Sequence, residues 1–275
     1  ISLQVSEFVK LATVIYLAGY LVRHNEEVRT NLSGFLRPLG LIFIVSVLLI
    51  IEPDFGAVAV IAMTAMGMLW LGGASIFQFV FLMLTMAAAL TLAAVSSPYR
   101  MERLTTFLNP WADPFNSGFQ LTQSLIAFGR GEWFGLGLGS SIQKLFYLPE
   151  AHTDFVFAVL GEDLGLIGSI TVILLFGLLV LRAFQMSKAA ERLNLRFYSL
   201  LAYCLGGWIG LQSFVNIAVN MGALPTKGLT LPLMSYGGSS MITMCVVIGL
   251  LCRIHQETQL DLEDQLKGSS PWQYA

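Results

Sequence analysis

Charge is what this sequence has least of. Asp, Glu, Lys and Arg make up 12% of its 275 residues, about half the share of an ordinary soluble domain, which excludes a globule with a conventional solvated surface. The cations are scattered and the formal net charge is −2. No basic stripe can follow a nucleic acid backbone, and no nucleic-acid partner is expected. Cysteine is scarce too. Cys204, Cys245 and Cys252 lie in apolar stretches without CxxC spacing, which argues against a zinc site or disulfide framework and reads as small buried apolar residues. Period-2 alternation is missing from the apolar runs, which excludes a membrane β-barrel. There is no signal-peptide pattern, and the chain opens on Ile1 rather than Met, so it is expected to be part of a longer protein.

What fills the sequence instead is apolar: 56% hydrophobic residues and a mean hydropathy of +0.73. Crossing a bilayer core takes about 20 apolar residues, and about seven runs approach that length. They cover residues 4 to 22, 35 to 51, 55 to 72, 76 to 96, 156 to 181, 197 to 221 and 234 to 252. The reading is an all-α, polytopic membrane bundle. Residues 1 to 258 form one integral-membrane domain and 259 to 275 a cytoplasmic tail, with Gly268-Ser269-Ser270 reading as an appended linker. Short cytoplasmic loops collect Lys and Arg. Arg23, Arg29 and Arg37, and then Arg182, Lys188, Arg192 and Arg196, therefore mark the cytoplasmic side. Glu52-Pro53-Asp54, the segment 97 to 155 and the loop 222 to 233 fall on the opposite side. The segment 97 to 155 is too long and aromatic for a simple connector, and its helical spacing from Phe119 to Phe128 predicts a re-entrant or interfacial helix.

Polar chemistry gathers in the run Lys144 to Phe155, where a lysine, two carboxylates and a histidine meet the start of an apolar helix. Pro149 at the first helical position would put Glu150 and Asp154 on one face. Two carboxylates would then project into an extracytoplasmic cavity, Asp154 as general base and Glu150 beside it. Repulsion from Glu150 raises the Asp154 pKa and the helix N-terminus lowers it. The plainer reading is a helix start whose acids complement the dipole. His152 either orients substrate or hydrogen-bonds at the interface. Arg100, Arg103, Arg130, Lys144 and Lys227 face the same side against the positive-inside trend, which suits a bound phosphate. Arg103 reads better as the partner of a neighbouring acid, whereas Arg100, Lys144 and Lys227 make the clamp. In the run from Pro225 to Ser240, Ser235 and Ser239 are either hinge caps or substrate ligands. Glu7 and Lys10 read as a structural ion pair, and Gln212 and Asn216 as interhelical hydrogen-bonders.

Several of these stretches resemble one family. Asn216, then Gly222-Ala223-Leu224-Pro225, Gly228-Leu229 and Leu233-Met234-Ser235-Tyr236-Gly237-Gly238-Ser239-Ser240 look like the signature of the SEDS proteins (shape, elongation, division and sporulation). Glu52-Pro53-Asp54-Phe55-Gly56, Pro149 to Phe155 and Gly161-Glu162-Asp163-Leu164-Gly165 resemble its other hallmarks. The similarity runs from about residue 3 to about residue 258. Glu150-Ala151-His152, with Gln120-Leu121-Thr122-Gln123-Ser124, is nearer the cell-division branch than the elongation branch.

The resemblance implies a fold of about ten spans, of which the first three or so precede this chain. It implies a peptidoglycan glycosyltransferase that polymerises lipid II at the outer face of the bacterial inner membrane, at the septum, and releases undecaprenyl pyrophosphate. Its implied partners are a single-pass class B penicillin-binding protein transpeptidase and other divisome membrane proteins. Asp154 matches the family's essential aspartate, and Gln120 and Gln123 join the expected substrate-binding residues. Relatives often carry an acid where Phe146 stands, so that position is not counted as catalytic. A divalent cation, Mg or Mn, would help the pyrophosphate leave, and no organic cofactor is expected. The alternatives are a lipid II flippase, which should carry ionisable groups along its spans, and a non-catalytic scaffold that recruits the transpeptidase.

Overall fold

The computed structural model describes residues 4–52, 54–95, 106–116, 118–144, 148–226 and 228–268. Arg100, Arg103, Phe146 and Lys227 lie outside them, as does Pro53. The described residues include the α-helices α1 Val5–Arg23, α2 Asn25–Thr30, α3 Leu32–Ile51, α4 Phe55–Leu71, α5 Ile76–Val95, α6 Phe119–Gly131, α7 Val156–Arg192, α8 Arg196–Asn220 and α9 Gly238–Gly268. Five of them (α1, α3, α7, α8 and α9) are long and apolar enough to cross a membrane, and α4 and the first part of α5 are shorter apolar helices. Together they account for the seven expected runs.

Two boundaries differ from expectation. α7 runs on to Arg192, so Arg182 and Lys188 sit on a helix that outruns the bilayer rather than in a connector. α9 likewise continues as helix through Gly268, well into the expected tail. Helices are cheap to extend past an apolar run, because each added residue closes one more backbone hydrogen bond.

In lipid, packing between helices depends on small residues and interhelical hydrogen bonds more than on the hydrophobic effect. The α7–α8 seam follows this rule. A Cβ on Gly206 would lie 2.5 Å from Ala183 Cβ, Ser187 and Ser199 hydroxyls meet at 3.2 Å, and Phe184 stacks on Tyr203 with centroids 4.4 Å apart. α1, α4 and α8 pack on one another at the centre, α9 closes against α1 and α7, and α6 lies along α7. Between α1 and α8, Lys10 Nζ donates to Glu7 Oε1 at 2.8 Å and to Gln212 Oε1 at 3.0 Å. Trp208 Nε1 donates to the same Gln212 oxygen at 2.8 Å. The expected Glu7–Lys10 pair is thus present, buried and locked to α8. Of the cysteines only Cys204 is buried; Cys245 and Cys252 are exposed on α9.

α7 is broken near its start. Gly165 has φ 67 and ψ −162, far from helical values, in the region that glycine tolerates and other residues do not. A break at membrane depth survives only if its freed backbone groups find partners, and the strand of chain after α6 supplies them. Leu136 N donates to Glu162 O at 3.0 Å and Gly137 N to Asp163 O at 3.0 Å, while Leu166 N donates back to Glu132 O at 2.9 Å. A Cβ on Gly165 would sit 2.4 Å from Gly135 N. The fold-back helix expected near residues 119 to 128 is α6, stitched onto α7 by this strap.

Candidate functional site

The run around Asp154 is a turn, not the first turn of a helix. α7 begins at Val156, and residues 149 to 155 form turns in which Thr153 N and Phe155 N both donate to Glu150 O at 3.2 Å. Glu150 itself adopts φ 57. Its side chain is exposed and its Oε2 accepts from Thr153 Oγ1 at 2.6 Å. The expected shared helical face for Glu150 and Asp154 is therefore corrected, and Glu150 loses the geometry that made it a catalytic partner. The cause is tertiary, because contacts from residues 60 to 85 positions away outweigh the helix-starting preference of Pro149.

Those contacts grip three consecutive carbonyls. Tyr236 N donates to His152 O at 2.8 Å, Ser235 Oγ to Thr153 O at 2.5 Å, and Asn216 Nδ2 and Asn220 Nδ2 each to Asp154 O at 2.9 Å. Asn220 Oδ1 also accepts from Ala158 N at 3.0 Å, an amide in the first turn of α7 that donates to Phe155 O as well. The Asp154 side chain is half-buried and leaves this cradle on the side of Gly228, where a Cβ would begin 3.2 Å from Asp154 Oδ2. Leu229 O accepts from Asn216 at 2.5 Å. A Cβ on Gly56 would come within 2.8 Å of the Leu229 side chain. Asp54 caps α4 by accepting from Ala57 N at 2.9 Å. Four separated motifs, at 54–56, 152–154, 216–220 and 228–236, thus meet at one rim of the bundle.

A groove of about 640 Å³ opens there, lined by His152, Val156, Met234, Ser235, Tyr236, Gly237, Gly238 and Met241. His152 is exposed at its edge. Ser235 and Ser239, expected as substrate ligands, are both buried. Ser235 Oγ donates to Thr153 O and accepts from Leu231 N at 2.7 Å, and Ser239 Oγ accepts from Gln4 N at 2.8 Å. The hinge reading fits these hydroxyls better than substrate contact does.

The cations take a different part from the one expected. Lys144 pairs with Asp163, and Arg130 Nη1 lies 3.4 Å from Glu162 Oε1. Ser141 Oγ donates to Glu162, Gln143 N donates to Glu162 Oε2 at 3.2 Å and Ser141 N to Asp163 Oδ1 at 3.1 Å. Lys144 and Arg130 thus answer acids of α7 itself, not a free anion. Glu162 and Asp163 form a clasp that sequence reading registered only as part of a motif; two adjacent acids inside an otherwise apolar span were the signal for it. Gln123 Oε1 accepts from Gln143 Nε2 at 3.0 Å, and Gln120 is half-buried on α6. Among the described residues no three His, Cys, Asp or Glu side chains gather closely enough to hold a metal ion.

Comparison with known proteins agrees with this constellation. The family profile described as "Cell cycle protein", covering FtsW, RodA and SpoVE, matches residues 1–260. A protein named probable peptidoglycan glycosyltransferase FtsW from Thioalkalivibrio sulfidiphilus is 58% identical over 257 residues, which cover 94% of this chain and 64% of that protein. The protein of the same name from Nitrosococcus halophilus is 60% identical over 259 residues, covering 94% and 67%. The chain therefore spans about two thirds of the length of the curated relatives it matches. Among solved structures, one described as structural coordination of polymerization and crosslinking by a peptidoglycan synthase complex aligns with TM-score 0.72 at 31% identity, covering 94% of this chain and 71% of that one. RodA of Thermus thermophilus aligns with TM-score 0.63 at 27% identity, covering 94% and 67%. With its motifs, its fold and its relatives in accord, the chain belongs to the FtsW/RodA/SpoVE cell-cycle family, the SEDS proteins, and shares 58–60% identity with the two members named FtsW above.

Proposed function

We propose that this chain is the larger part of a septal peptidoglycan glycosyltransferase that polymerises lipid II at the periplasmic face of the bacterial inner membrane, with Asp154 as general base. The observation that carries the reading is the convergence of four family motifs on the Asp154 turn, beside a groove of substrate size, in a chain whose relatives are named for that activity. In the proposed step the Asp154 carboxylate takes the proton of the acceptor sugar's 4-hydroxyl as that oxygen bonds to the anomeric carbon of a lipid-linked donor. The anomeric C–O bond breaks with inversion and its electron pair leaves on undecaprenyl pyrophosphate. His152, exposed at the groove edge, is the nearest side chain on this turn for orienting a sugar. Arg100 and Lys227 remain the candidate pyrophosphate clamp, and Lys227 adjoins Gly228, which touches Asp154. Among the described residues no three His, Cys, Asp or Glu side chains form a protein-only metal cage, and no step is routed through a divalent cation. A transpeptidase of the class B penicillin-binding type is the proposed partner, supported by the likeness to a complex described for polymerization and crosslinking.

The test uses the full-length protein with its partner. Asp154→Asn should lower lipid II polymerisation roughly a hundredfold to ten-thousandfold, the range for loss of a general base. A normal rate would remove Asp154 from the chemistry. Vesicles that carried lipid II across the bilayer without forming polymer would replace the enzyme with a transporter.

A further inference from the structure

We infer that a groove between α6 and α7 holds the polyprenyl chain of the lipid-linked substrate. This rests on the glycosyltransferase reading above and accounts for the part of the substrate that the rim groove leaves out. A molecule with a sugar head and a hydrocarbon tail needs two surfaces of opposite character. The groove beside His152, Ser235 and Tyr236 has polar residues along it and suits the head. A second cavity of about 370 Å³ is walled by Leu125 and Phe128 of α6, Phe157, Ile170 and Ile173 of α7, and Met221 just after α8. Val156 lines the first groove and Phe157 the second, so the two flank the same opening turn of α7.

The upper end of the second groove meets the Asp154 turn. Phe157 stands three residues after Asp154, and Met221 directly follows Asn220, whose amide donates to Asp154 O at 2.9 Å. The lower end opens on the outside of a helix long and apolar enough to cross a membrane, where Leu166, Ile170 and Ile173 are all partly exposed. From Phe157 to Ile173 the groove follows roughly 24 Å of α7 at the helical rise, most of the way through a bilayer core of about 30 Å. Its wall offers little to a sugar. Ser169 spends its hydroxyl on Gly165 O at 3.0 Å, and Glu132 stands exposed at the strap. The Phe128 ring lies so close over Gly161 that a Cβ there would come 2.5 Å from its Cδ1, and it meets the Phe157 ring with centroids 5.7 Å apart. Ring faces and aliphatic carbons suit a hydrocarbon that enters sideways from the bilayer. Because the chain comes from lipid rather than water, the gain is packing and alignment, which is modest in size.

The test fills the groove from its open side. Ile170→Trp and Ile173→Trp add bulk at partly exposed positions that the fold tolerates, and Leu174→Trp, outside the groove and 66% exposed, is the control. Full-length protein with its partner, in lipid nanodiscs, is assayed on lipid II with its whole polyprenyl chain and on an analogue cut to a geranyl group. Both groove variants should raise KM for the long-chain substrate about threefold to tenfold, with kcat within about twofold, and should change KM for the short-chain analogue by less than about twofold. Leu174→Trp should match wild type on both. A diazirine in the isoprene unit nearest the pyrophosphate should cross-link wild type at Phe128 or Ile170, in competition with lipid II but not with phosphatidylglycerol. Equal KM rises on both substrates, cross-links confined to other helices, or competition by phosphatidylglycerol would overturn the groove. Release of the transpeptidase from the complex with both KM values unchanged would give the groove to a protein helix and overturn it as well. If Ile170→Trp fails to fold, Ile173→Trp and the cross-link decide by the same criteria. A wild-type protein that made no polymer would instead bring down the reading on which the groove's occupant rests.

Discussion

Two acid-bearing stretches sit eight residues apart at the head of α7, and they are treated in opposite ways. Glu162 and Asp163 are buried; Ser141, Gln143 and Lys144 hydrogen-bond to them, and Arg130 lies 3.4 Å from the one Glu162 oxygen that accepts no hydrogen bond. Around Glu150 and Asp154 neighbouring elements hold main-chain carbonyls, and the two side chains are exposed and half-buried respectively. The same residue types sit in a closed clasp in one place and at the open rim of the bundle in the other. What separates them is depth: Glu162 and Asp163 are buried in the α6–α7 seam, whereas Glu150 and Asp154 stand on a turn with access to solvent.

The contrast can be broken at four points. The largest effect belongs to Asp154→Asn, which should lose at least a hundredfold in rate with a smaller change in unfolding midpoint than Glu162→Ala, because the Asp154 side chain is half-buried and that of Glu162 fully buried. A large fall in unfolding temperature would place Asp154 with the clasp. Next comes Glu162→Ala, which removes a fully buried carboxylate from Ser141, Gln143 and the partly exposed Arg130. It should cost about 3 kcal/mol or more, as breaking a buried pair does, read as a lower unfolding midpoint; a wild-type midpoint would dissolve the distinction. Gly165→Ala should cost roughly 1–3 kcal/mol for its φ of 67, with further loss from the clash with the strap, seen as faster proteolysis of residues 132–144. The smallest effect is expected of Glu150→Gln, within about 0.5 kcal/mol in both stability and activation free energy, since its carboxylate meets only Thr153 at the surface. A hundredfold rate loss there would restore Glu150 to the chemistry.

How far the sequence carried this picture depends on the range of the forces involved. The spans were legible because apolar length is a property of consecutive residues, and α1, α3, α4 and α8 begin and end within about three residues of the runs that predicted them. Asp154 was legible as the acid at a helix mouth. The local geometry around it was not, because Pro149 favours a helix start while Asn216, Asn220, Ser235 and Tyr236 pull the turn out of helix from far along the chain. Asn220 went unnoticed for a related reason: an amide in an apolar helix reads as a generic interhelical bond until its acceptor is seen. Lys144 was misassigned because its acid, Asp163, stands nineteen residues later across a break that no periodicity announces.

The strap over that break is sewn by main-chain atoms, Leu136 N and Gly137 N donating to Glu162 O and Asp163 O, and Leu166 N and Ile167 N of α7 donating back to Glu132 O and Trp133 O. Stitches of this kind do not depend on side-chain identity. Trp133, Phe134 and Leu136 can therefore drift to other residues without loosening the seam, whereas Gly135 and Gly165, where the two backbones come closest, cannot. A lineage can redecorate the outward face of this strap for new neighbours while the helix beneath stays fastened.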